Sequence, residues 1–288
     1  MNFRDLEYLV AVADLRHFGQ AAAQCHVSQS ALSLQLQKLE KELGIQLIER
    51  TSRRVVVAPA GRALVERARG ILLAKQELLD DAALEVGQMP ATITLGMIPT
   101  IAPYQIGAVL RGMKQKYPGT SLRFVEDITQ NLVQSTARGE LDAAMVATGT
   151  DDSLLAETKL GHDELLLAVA KSHRLAEQAH VEPKQLQNET MLLLKDGHCL
   201  SDQAIGFCTA KRAGAALISI AASIETLKAM IRAGMGVTLI PRIAIDAAPP
   251  DNSLVFLLLK PAPSRTIRLI TRKTSRLGPL LQAALKWQ

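Results

Sequence analysis

Apolar side chains recur every three or four residues in three consecutive segments at the start of the chain. This spacing predicts amphipathic helices over residues 4–14 and 18–25, and a third helix that begins after Ser28 and ends near Leu43. Ser28 has the side chain of a good N-cap, and Gly44 can adopt the left-handed conformation that ends a helix. The short turn between the second and third helices makes this pair a predicted helix-turn-helix.

The third predicted helix has one apolar face and one polar face. Its predicted buried stripe consists of Ala31, Leu32, Leu36 and Leu39. The opposite face carries short polar side chains of the length needed to reach base edges in a DNA major groove. We therefore predict DNA contacts from the cap and this face, at Ser28, Gln29, Ser30, Ser33 and Gln37.

Short apolar segments flank residues 50–54 and predict a strand, a turn and a second strand directly after the helix-turn-helix. Arg50, Arg53 and Arg54 lie in this hairpin and are predicted to contact phosphates or the minor groove. A helix-turn-helix corner is common in helical proteins, and arginines on a solvated hairpin are common too. The two features in succession favour a winged helix-turn-helix DNA-binding domain over residues 1–58.

A long helix is predicted between Pro59 and Pro90, since no proline interrupts the segment and Pro59 suits a first helical turn. An apolar stripe runs along it through Leu64, Ala68, Ile71, Leu78 and Ala82. One long helix in water would leave this stripe uncovered. It could pack against the chain's own domains, but a helix that links two domains favours a homodimer seam. Residues 59–90 are therefore a predicted linker and dimerisation segment.

From residue 91 onward, short apolar strands alternate with helical segments. Strands are predicted at 93–97, 122–125, 141–146, 164–169, 191–194, 216–220 and 237–240, and helices at 103–116, 131–138, 201–208 and 223–232. This alternation predicts an α/β fold with a mostly parallel sheet. Its two similar halves predict two lobes over residues 91–288, with a cleft where strands end.

The composition fits two globular domains. The 288 residues are 48% hydrophobic and 3% aromatic, and the net charge of +5 is small, so a DNA-binding surface must be local. No apolar run approaches the ~20 residues of a membrane span, and the first residues lack the apolar core of a signal peptide. We expect a cytoplasmic protein without membrane contact, in which any disulfide is transient.

Two of the three cysteines, Cys199 and Cys208, lie nine residues apart. This spacing matches neither C-x-x-C nor a zinc site, so no metal and no cofactor is predicted. Ser201 is a predicted N-cap, which would place Cys199 just ahead of a helix N-terminus, where a reactive thiolate is stabilised. The alternative is a pair of ordinary half-buried cysteines.

The segment from Asp196 to Cys208 reads Asp-Gly-His-Cys-Leu-x-Asp-Gln-Ala-x-Gly-Phe-Cys, and it resembles the redox segment of the hydrogen-peroxide-sensing LysR-type transcription regulators. Residues 3–62 resemble the LysR-type winged helix-turn-helix in Ala-Ala-x-x-Cys-His-Val-Ser-Gln, Leu-Glu-x-Glu-Leu-Gly and Pro-Ala-Gly. Ser30 and Ala58 depart from that pattern, where the family usually has proline and threonine. Residues 91–288 resemble the family's periplasmic-binding-protein-like regulatory domain.

The resemblance implies a function and a set of site residues. Peroxide would oxidise Cys199 to a sulfenic acid, and Cys208 would resolve it as a reversible intramolecular disulfide. The peroxide site would comprise Thr100, Thr129, His198 and Arg265. The implied protein is an activator of antioxidant genes that binds promoter operators in double-stranded DNA. It would be a homodimer through the linker helix, assemble into a homotetramer and act on RNA polymerase.

Two other functions remain open from the residues. A LysR-type regulator could bind a small metabolite in the cleft between the lobes, with incidental cysteines. A thiol peroxidase with an added DNA-binding domain would be an enzyme, but it would need a route to reduce its disulfide. The chain offers no C-x-x-C or cofactor motif for that purpose.

Overall fold

The structure is a computed structural model that describes residues 1–50, 55–195, 197–210, 216–249, 251–285 and 287, without the side chains of Arg50, Ala210, Ser219 and Ile220. It divides into two compact units, Met1–Gln88 and Met89–Gln288. In the described ranges no helix has both the length and the apolar character needed to cross a bilayer. The predicted DNA contacts of Arg53 and Arg54 lie outside the described residues, as does Asp196 of the cysteine segment.

The first unit is a helix-turn-helix followed by a two-stranded sheet and a long helix. Its elements are α1 (Phe3–Leu15), α2 (Phe18–Gln24), α3 (Gln29–Leu43), β1 (Ile48–Arg50), β2 (Val55–Val57) and α4 (Pro59–Glu85). The first three helices pack around Leu9, Val12, Leu32 and Leu36. The antiparallel pair of β1 and β2 forms the predicted wing.

Helix α3 begins and ends as its sequence predicts. The Ser28 hydroxyl accepts a hydrogen bond from the Ala31 N–H at 3.2 Å, and Gly44 ends the helix in the left-handed region at φ 71°. The predicted burial of Ala31 is wrong, because Ala31 is exposed. The buried face of α3 is narrower than predicted. It consists of Leu32, Leu36 and Leu39, which recur at helical spacing.

Helix α4 leaves large apolar side chains in solvent along its second half. Ile71 and Leu79 are exposed, and Leu78 exposes 70% of its surface. Nearer the start of the helix, Val65 and Ala68 pack into the core of the first unit. The uncovered half is the part of the predicted stripe that needs a partner.

The second unit is built on an eight-stranded sheet in the order β4-β3-β5-β12-β6-β11-β7, with β10 also paired to β6. A separate parallel pair is formed by β8 and β9. The strands are β3 (Thr92–Met97), β4 (Ser121–Glu126), β5 (Ala143–Val146), β6 (Leu155–Ala170), β7 (His180–Val181), β8 (Thr190–Leu194), β9 (Ala216–Ala221), β10 (Thr238–Pro241), β11 (Leu254–Leu259) and β12 (Ser264–Arg272). The helices are α5 (Ala102–Lys116), α6 (Thr129–Ala137), α7 (Cys199–Ala210), α8 (Ile224–Arg232), α9 (Arg242–Asp246) and α10 (Leu277–Ala284), with a 3₁₀ turn at Pro183–Leu186.

The prediction of a mostly parallel sheet is wrong for the eight-stranded sheet, which is mixed. Strands β4, β3 and β5 are parallel because α5 and α6 connect them. Strand β12 runs antiparallel to both β5 and β6, and β10 and β11 run antiparallel to β6. The chain reaches β6 and β12 through loops without a crossover helix, so these strands can run antiparallel to their neighbours. The alternation of short apolar segments in the sequence does not show which connections lack a helix.

Strand β6 passes through both lobes of this unit. Its first part, Leu155–Glu164, pairs with β12, and its last part, Leu165–Ala170, pairs with β10 and β11. The second lobe has its own apolar core, which includes residues of β8, α7 and α8. Because β6 runs through both lobes, it connects the sheet of the first lobe directly to that of the second.

Candidate functional site

Cys199 is the first residue of α7 and is buried. The prediction that Ser201 caps this helix is wrong, because Ser201 lies inside the first turn. Its N–H donates to the His198 carbonyl at 2.9 Å, and its hydroxyl donates to the Leu194 carbonyl at 2.8 Å. The second bond ties α7 to the end of β8. Cys199 is therefore held at a helix N-terminus, where backbone N–H groups lack helical partners.

Thr129 is the first residue of α6 and lies beside Cys199. Its Oγ1 is buried and makes no hydrogen bond of standard geometry within the described residues. It still interacts with the Cys199 thiol and lowers its pKa, so the contact is weaker than an ordinary hydrogen bond. A buried hydroxyl without a full partner is uncommon, which makes Thr129 a candidate to bind a small polar molecule.

Arg265 lies in a buried hydrogen-bond network that connects β12, β6 and the turn after β3. Its Nε and Nη2 donate to Asp163 Oδ2 at 3.0 and 2.9 Å, its Nη1 donates to Thr100 Oγ1 at 2.7 Å, and its Nη2 donates to the Thr100 carbonyl at 3.1 Å. Arg265 and Asp163 are also paired residues of β12 and β6. Arg265 exposes only 2% of its surface and Asp163 3%, so the charged pair is desolvated and its geometry is well defined.

The pKa of the Cys199 thiol is raised above its ordinary value, chiefly because burial disfavours the thiolate. The positive charge of Arg265 and the Thr129 hydroxyl act in the opposite direction, whereas the Asp202 carboxylate adds to the increase. The expectation of a depressed pKa for Cys199 is therefore wrong. The effect of burial on the thiol pKa exceeds the opposing effects of Arg265 and Thr129.

A cleft of ≈ 510 Å³ leads from solvent to Cys199. Thr129 and Gly197 also line it, and Thr100 and Arg265 are not among its described lining residues. Gly197 adopts φ 92°, and a Cβ at this position would approach Ile128 Cδ1 to 3.3 Å. The glycine thus suits both the left-handed turn before α7 and the close approach of the α6 loop.

Cys208 lies on the same helix and is buried in the apolar core of the second lobe. Burial raises the pKa of its thiol, and no charged or hydroxyl group of the described residues lowers it. Both cysteines are free thiols. Of the two, only Cys199 lies beside groups that favour its thiolate and at the wall of a cleft.

Two family models match the chain. The model of the bacterial regulatory helix-turn-helix protein, lysR family, matches residues 3–62, and that of the LysR substrate binding domain matches residues 87–287. The DNA-binding transcriptional dual regulator OxyR of Escherichia coli is 40% identical over 278 residues, which are 96% of this chain and 91% of that protein. The chain belongs to the OxyR group of the LysR family. A hydrogen peroxide-inducible genes activator of Haemophilus influenzae is 37% identical over 96% of this chain and 92% of that protein.

Solved OxyR structures share the fold. A full-length OxyR variant from Pseudomonas aeruginosa superposes with a TM-score of 0.82 at 28% identity, covering 99% of this chain and 94% of that one. A Corynebacterium glutamicum OxyR mutant with bound hydrogen peroxide gives a TM-score of 0.67 at 32% identity, covering 99% and 90%. The predicted fold class is confirmed: a winged helix-turn-helix, a long helix and a two-lobed α/β regulatory domain.

The OxyR-type site residues predicted from the sequence fall into two groups. Cys199 and Thr129 share the cleft, whereas Thr100 and Arg265 form the buried network behind it. His198 is half-buried in the loop before α7, and its imidazole makes no hydrogen bond to the described residues. The role of each residue at the reacting thiol stays a prediction.

Sequence reasoning missed Asp163 and Gln203. Gln203 lies one turn after Cys199 on α7, and its Nε2 donates to the Ala147 carbonyl at 3.0 Å, while its Oε1 is buried without a partner in the described residues. The spacing of four residues between Cys199 and Gln203 was visible in the sequence. No sequence signal links Asp163 to Arg265, because 102 residues separate them.

The predicted DNA-reading residues of α3 lie on a solvent-facing side of the OxyR-type helix-turn-helix. Gln29, Ser30 and Gln37 are exposed, and Ser33 is half-buried. Ser28 Oγ also lies 3.1 Å from Ser30 Oγ, within hydrogen-bond distance. Leu34 is exposed as well and adds an apolar side chain to the same region.

Proposed function

We propose that this protein is a transcription regulator that senses hydrogen peroxide through Cys199, with Cys208 as its disulfide partner. The observation that carries the proposal is a buried thiol at the start of α7 and at the wall of an open cleft, beside the Thr129 hydroxyl, which makes no standard hydrogen bond within the described residues. Relatives of the same family carry hydrogen peroxide in their names, and one was solved with peroxide bound.

The chemistry consumes one peroxide and two thiols. The Cys199 thiolate attacks one peroxide oxygen, the O–O bond breaks, and the other oxygen leaves as hydroxide and takes up a proton to become water. The Cys208 thiolate then attacks the sulfenic sulfur, the S–S bond forms, and the hydroxyl group leaves as hydroxide and takes up a proton to become the second water. Thr129 orients the peroxide, while Arg265, held by Thr100 and Asp163, favours the thiolate. His198 directly precedes Cys199 in the chain and is our candidate to assist the leaving oxygen.

This reaction is a signal and not a turnover cycle. The chain's family is one of transcription regulators, and the sequence has no motif that would reduce the disulfide. Ser28, Gln29, Ser30, Ser33 and Gln37 contact bases in promoter operators, and Arg50, Arg53 and Arg54 contact the backbone. These assignments divide the chain into a DNA-binding domain (1–58), a linker helix that forms a homodimer (59–90) and a redox-sensing domain (91–288). The protein works in the cytoplasm as a homotetramer that recruits RNA polymerase to antioxidant genes.

A thiol count after limited oxidation tests the proposal. Less than one equivalent of peroxide should remove two thiols per peroxide consumed, and peptide mass mapping should recover a Cys199–Cys208 bridge. Cys25→Ser should behave like the unchanged protein, since Cys25 belongs to the first unit. A protein inert to peroxide, or a bridge through Cys25, would contradict the assignment.

The roles of the two cysteines can be separated by single variants. Cys208→Ser should still form a sulfenic acid at Cys199, which dimedone traps, whereas Cys199→Ser should not react. If dimedone labelled Cys208 in Cys199→Ser as fast as it labels Cys199 in Cys208→Ser, the roles would be reversed or void.

A further inference from the structure

The cleft that leads to Cys199 carries only negative charge among its described lining residues. Asp152 and Asp202 line it, and the other polar lining residues are uncharged. These are Thr129, Gln130, Gln134, Thr148 and Thr150. No lysine, arginine or histidine is found among the described residues of the wall. A reagent that approaches the thiol therefore passes two carboxylates.

Each carboxylate is placed by its own element. Asp202 lies three residues after Cys199 on α7, so the two side chains share one face of the helix. Its negative charge already acts on the thiol, whose pKa it raises. Asp152 lies in the loop between β5 and β6, where its Oδ1 accepts from the Leu154 N–H at 2.9 Å and its own N–H donates to Thr150 Oγ1 at 3.2 Å. These bonds hold the Asp152 side chain at the cleft.

The positive groups near the cleft each have a negative group beside them. The N-terminus of α7 has Asp202 in its first turn. At the N-terminus of α6, Asp127 Oδ1 accepts from the Ile128 N–H at 2.7 Å and from Asn131 Nδ2 at 2.9 Å. The charge of Arg265 is paired with Asp163 in the interior. A helix N-terminus carries about half a positive charge, whereas each carboxylate carries a full negative charge. The two carboxylates of the wall therefore make the electrostatic potential at the cleft entrance negative.

We infer that Asp152 and Asp202 form an electrostatic filter that admits uncharged oxidants to Cys199 and slows anionic ones. Hydrogen peroxide is neutral at physiological pH and is unaffected, whereas anionic oxidants such as peroxymonosulfate are repelled. This inference rests on the proposed role of Cys199 as the sensing thiol. At the distance of neighbouring side chains in water, each carboxylate should change an anion's rate on the order of 2–4-fold, an effect that salt reduces.

Alkylation measures the filter without peroxide. In a full-length chain with Cys25→Ser and Cys208→Ser, Cys199 is the remaining cysteine. Its thiolate displaces iodide from neutral iodoacetamide or from anionic iodoacetate, so that a C–S bond replaces the C–I bond in both. The ratio of the two rate constants is divided by the same ratio for 2-mercaptoethanol. Any change in the Cys199 pKa alters both rates equally and cancels in the ratio.

The expected normalised ratio of iodoacetamide to iodoacetate is about 5–10 in this background. Asp152→Asn and Asp202→Asn should each reduce it about 2–4-fold, the double variant should bring it near one, and 0.5 M salt should have a similar effect. Asp151→Asn is the matched control, since Asp151 is exposed next to Asp152 but is not part of the described wall.

The filter is refuted if the ratio stays constant in both cleft variants, or if Asp151→Asn changes it as much as Asp152→Asn does. Circular dichroism of each variant checks that it is folded. The proposed function is tested separately by the rate of peroxide oxidation, which should change less than twofold in Asp152→Asn. If Cys199 did not react with peroxide but its iodoacetamide-to-iodoacetate ratio still fell with added salt, the proposed function would be refuted and the filter would stand. If Cys199 reacted normally with peroxide but the normalised ratio was one, the filter would be refuted and the proposed function would stand.

Discussion

The hydroxyls of Thr129 and Thr100 have different surroundings, although both residues follow strands of the first lobe. Thr100 Oγ1 accepts a hydrogen bond from Arg265 and is fully buried. Thr129 Oγ1 has no standard partner in the described chain and lies at the cleft. A peroxide that reaches Cys199 therefore meets Thr129 with no standard hydrogen bond to break, whereas Thr100 Oγ1 already accepts one from Arg265.

Thr129→Val should slow peroxide oxidation of Cys199 by on the order of 10²-fold, because a positioned donor is lost while the shape is kept. Alkylation by iodoacetamide should slow far less, because it loses only the contribution of Thr129 to the Cys199 thiolate and does not need peroxide to be oriented. Thr148→Val, at another threonine of the cleft wall, is the control and should leave both rates near normal. Stopped-flow measurement of both reagents decides the matter, and equal slowing of both would mean that Thr129 acts only on the thiol or the fold.

Arg265→Gln should move the pH profile of Cys199 alkylation to higher pH. Burial already raises the pKa of this thiol, and Arg265 is the charge that opposes the increase. Because the thiolate is the reactive form, a higher pKa lowers the rate at neutral pH and delays its rise to more alkaline pH. The profile is measured with iodoacetamide in the Cys25→Ser, Cys208→Ser background.

The same substitution leaves Asp163 buried without its cation, which should lower the free energy of unfolding by about 3–5 kcal/mol. Asp163→Asn together with Arg265→Gln is therefore the necessary comparison. The double variant should recover part of the stability in urea unfolding and keep an upward shift of the pH profile. A pH profile identical to that of the parent in both variants would show that Arg265 does not act on Cys199.

At the scale of elements, α7 cannot hold both cysteines in a disulfide as it stands. Nine residues at a rise of ~1.5 Å separate the two Cα atoms by roughly 13 Å along the helix. A disulfide allows at most ~7 Å. Since Cys208 is packed in the second lobe and Ser201 ties the first turn to β8, oxidation must unwind or displace at least one end of α7.

Peroxide should therefore accelerate amide hydrogen exchange in residues 199–210, while the strands of the first lobe keep their protection. The physical reason is that the bridge removes the helical spacing and takes Cys208 from its core contacts. Cys208→Ser treated with the same peroxide is the control and should show a smaller change. Unaltered exchange across α7 in a sample with a verified Cys199–Cys208 bridge would contradict this mechanism.

At the scale of the whole molecule, the uncovered stripe of α4 requires a partner. Leu78 exposes 70% of its surface and Ile71 44% on one helix. Leu78→Asp should weaken the proposed homodimer at least tenfold, because a charge would be buried against apolar side chains. Gln76→Glu adds a charge on the other side of α4 and should leave the dimer intact. Analytical ultracentrifugation measures both, and equal dissociation constants would place the seam elsewhere.

DNA binding should be salt-dependent, and loss of a phosphate contact should differ in its effect from loss of a base contact. Arg53→Ala should weaken binding to all sequences and reduce the slope of affinity against salt by about one, as loss of a phosphate contact does. Gln29→Ala should instead change the preference between operator and random DNA. Titrations of both DNAs at several salt concentrations make the comparison, and uniform loss in both variants would contradict the division.

Local sequence determined most of the elements and the caps of α3, but not the start of α7 or the strands β7 and β11. Ser28 and Gly44 bound α3 where predicted, and most helices and strands of the second unit lie within a few residues of their predicted limits. Hydrophobic spacing and capping act over a few residues, so they are readable without a fold. The cysteine segment and the helix-turn-helix indicated the OxyR-type family for the same reason.

Tertiary structure alone decided the site's electrostatics and the sheet directions. The pairing of Arg265 with Asp163 and Thr100 joins residues more than a hundred positions apart, and the raised pKa of Cys199 follows from burial that no local pattern reports. The antiparallel pairing of β12 with β6 brings Arg265 beside Asp163. Local spacing sets which face of an element is apolar, but the path of the chain sets which faces meet and how much water remains between them.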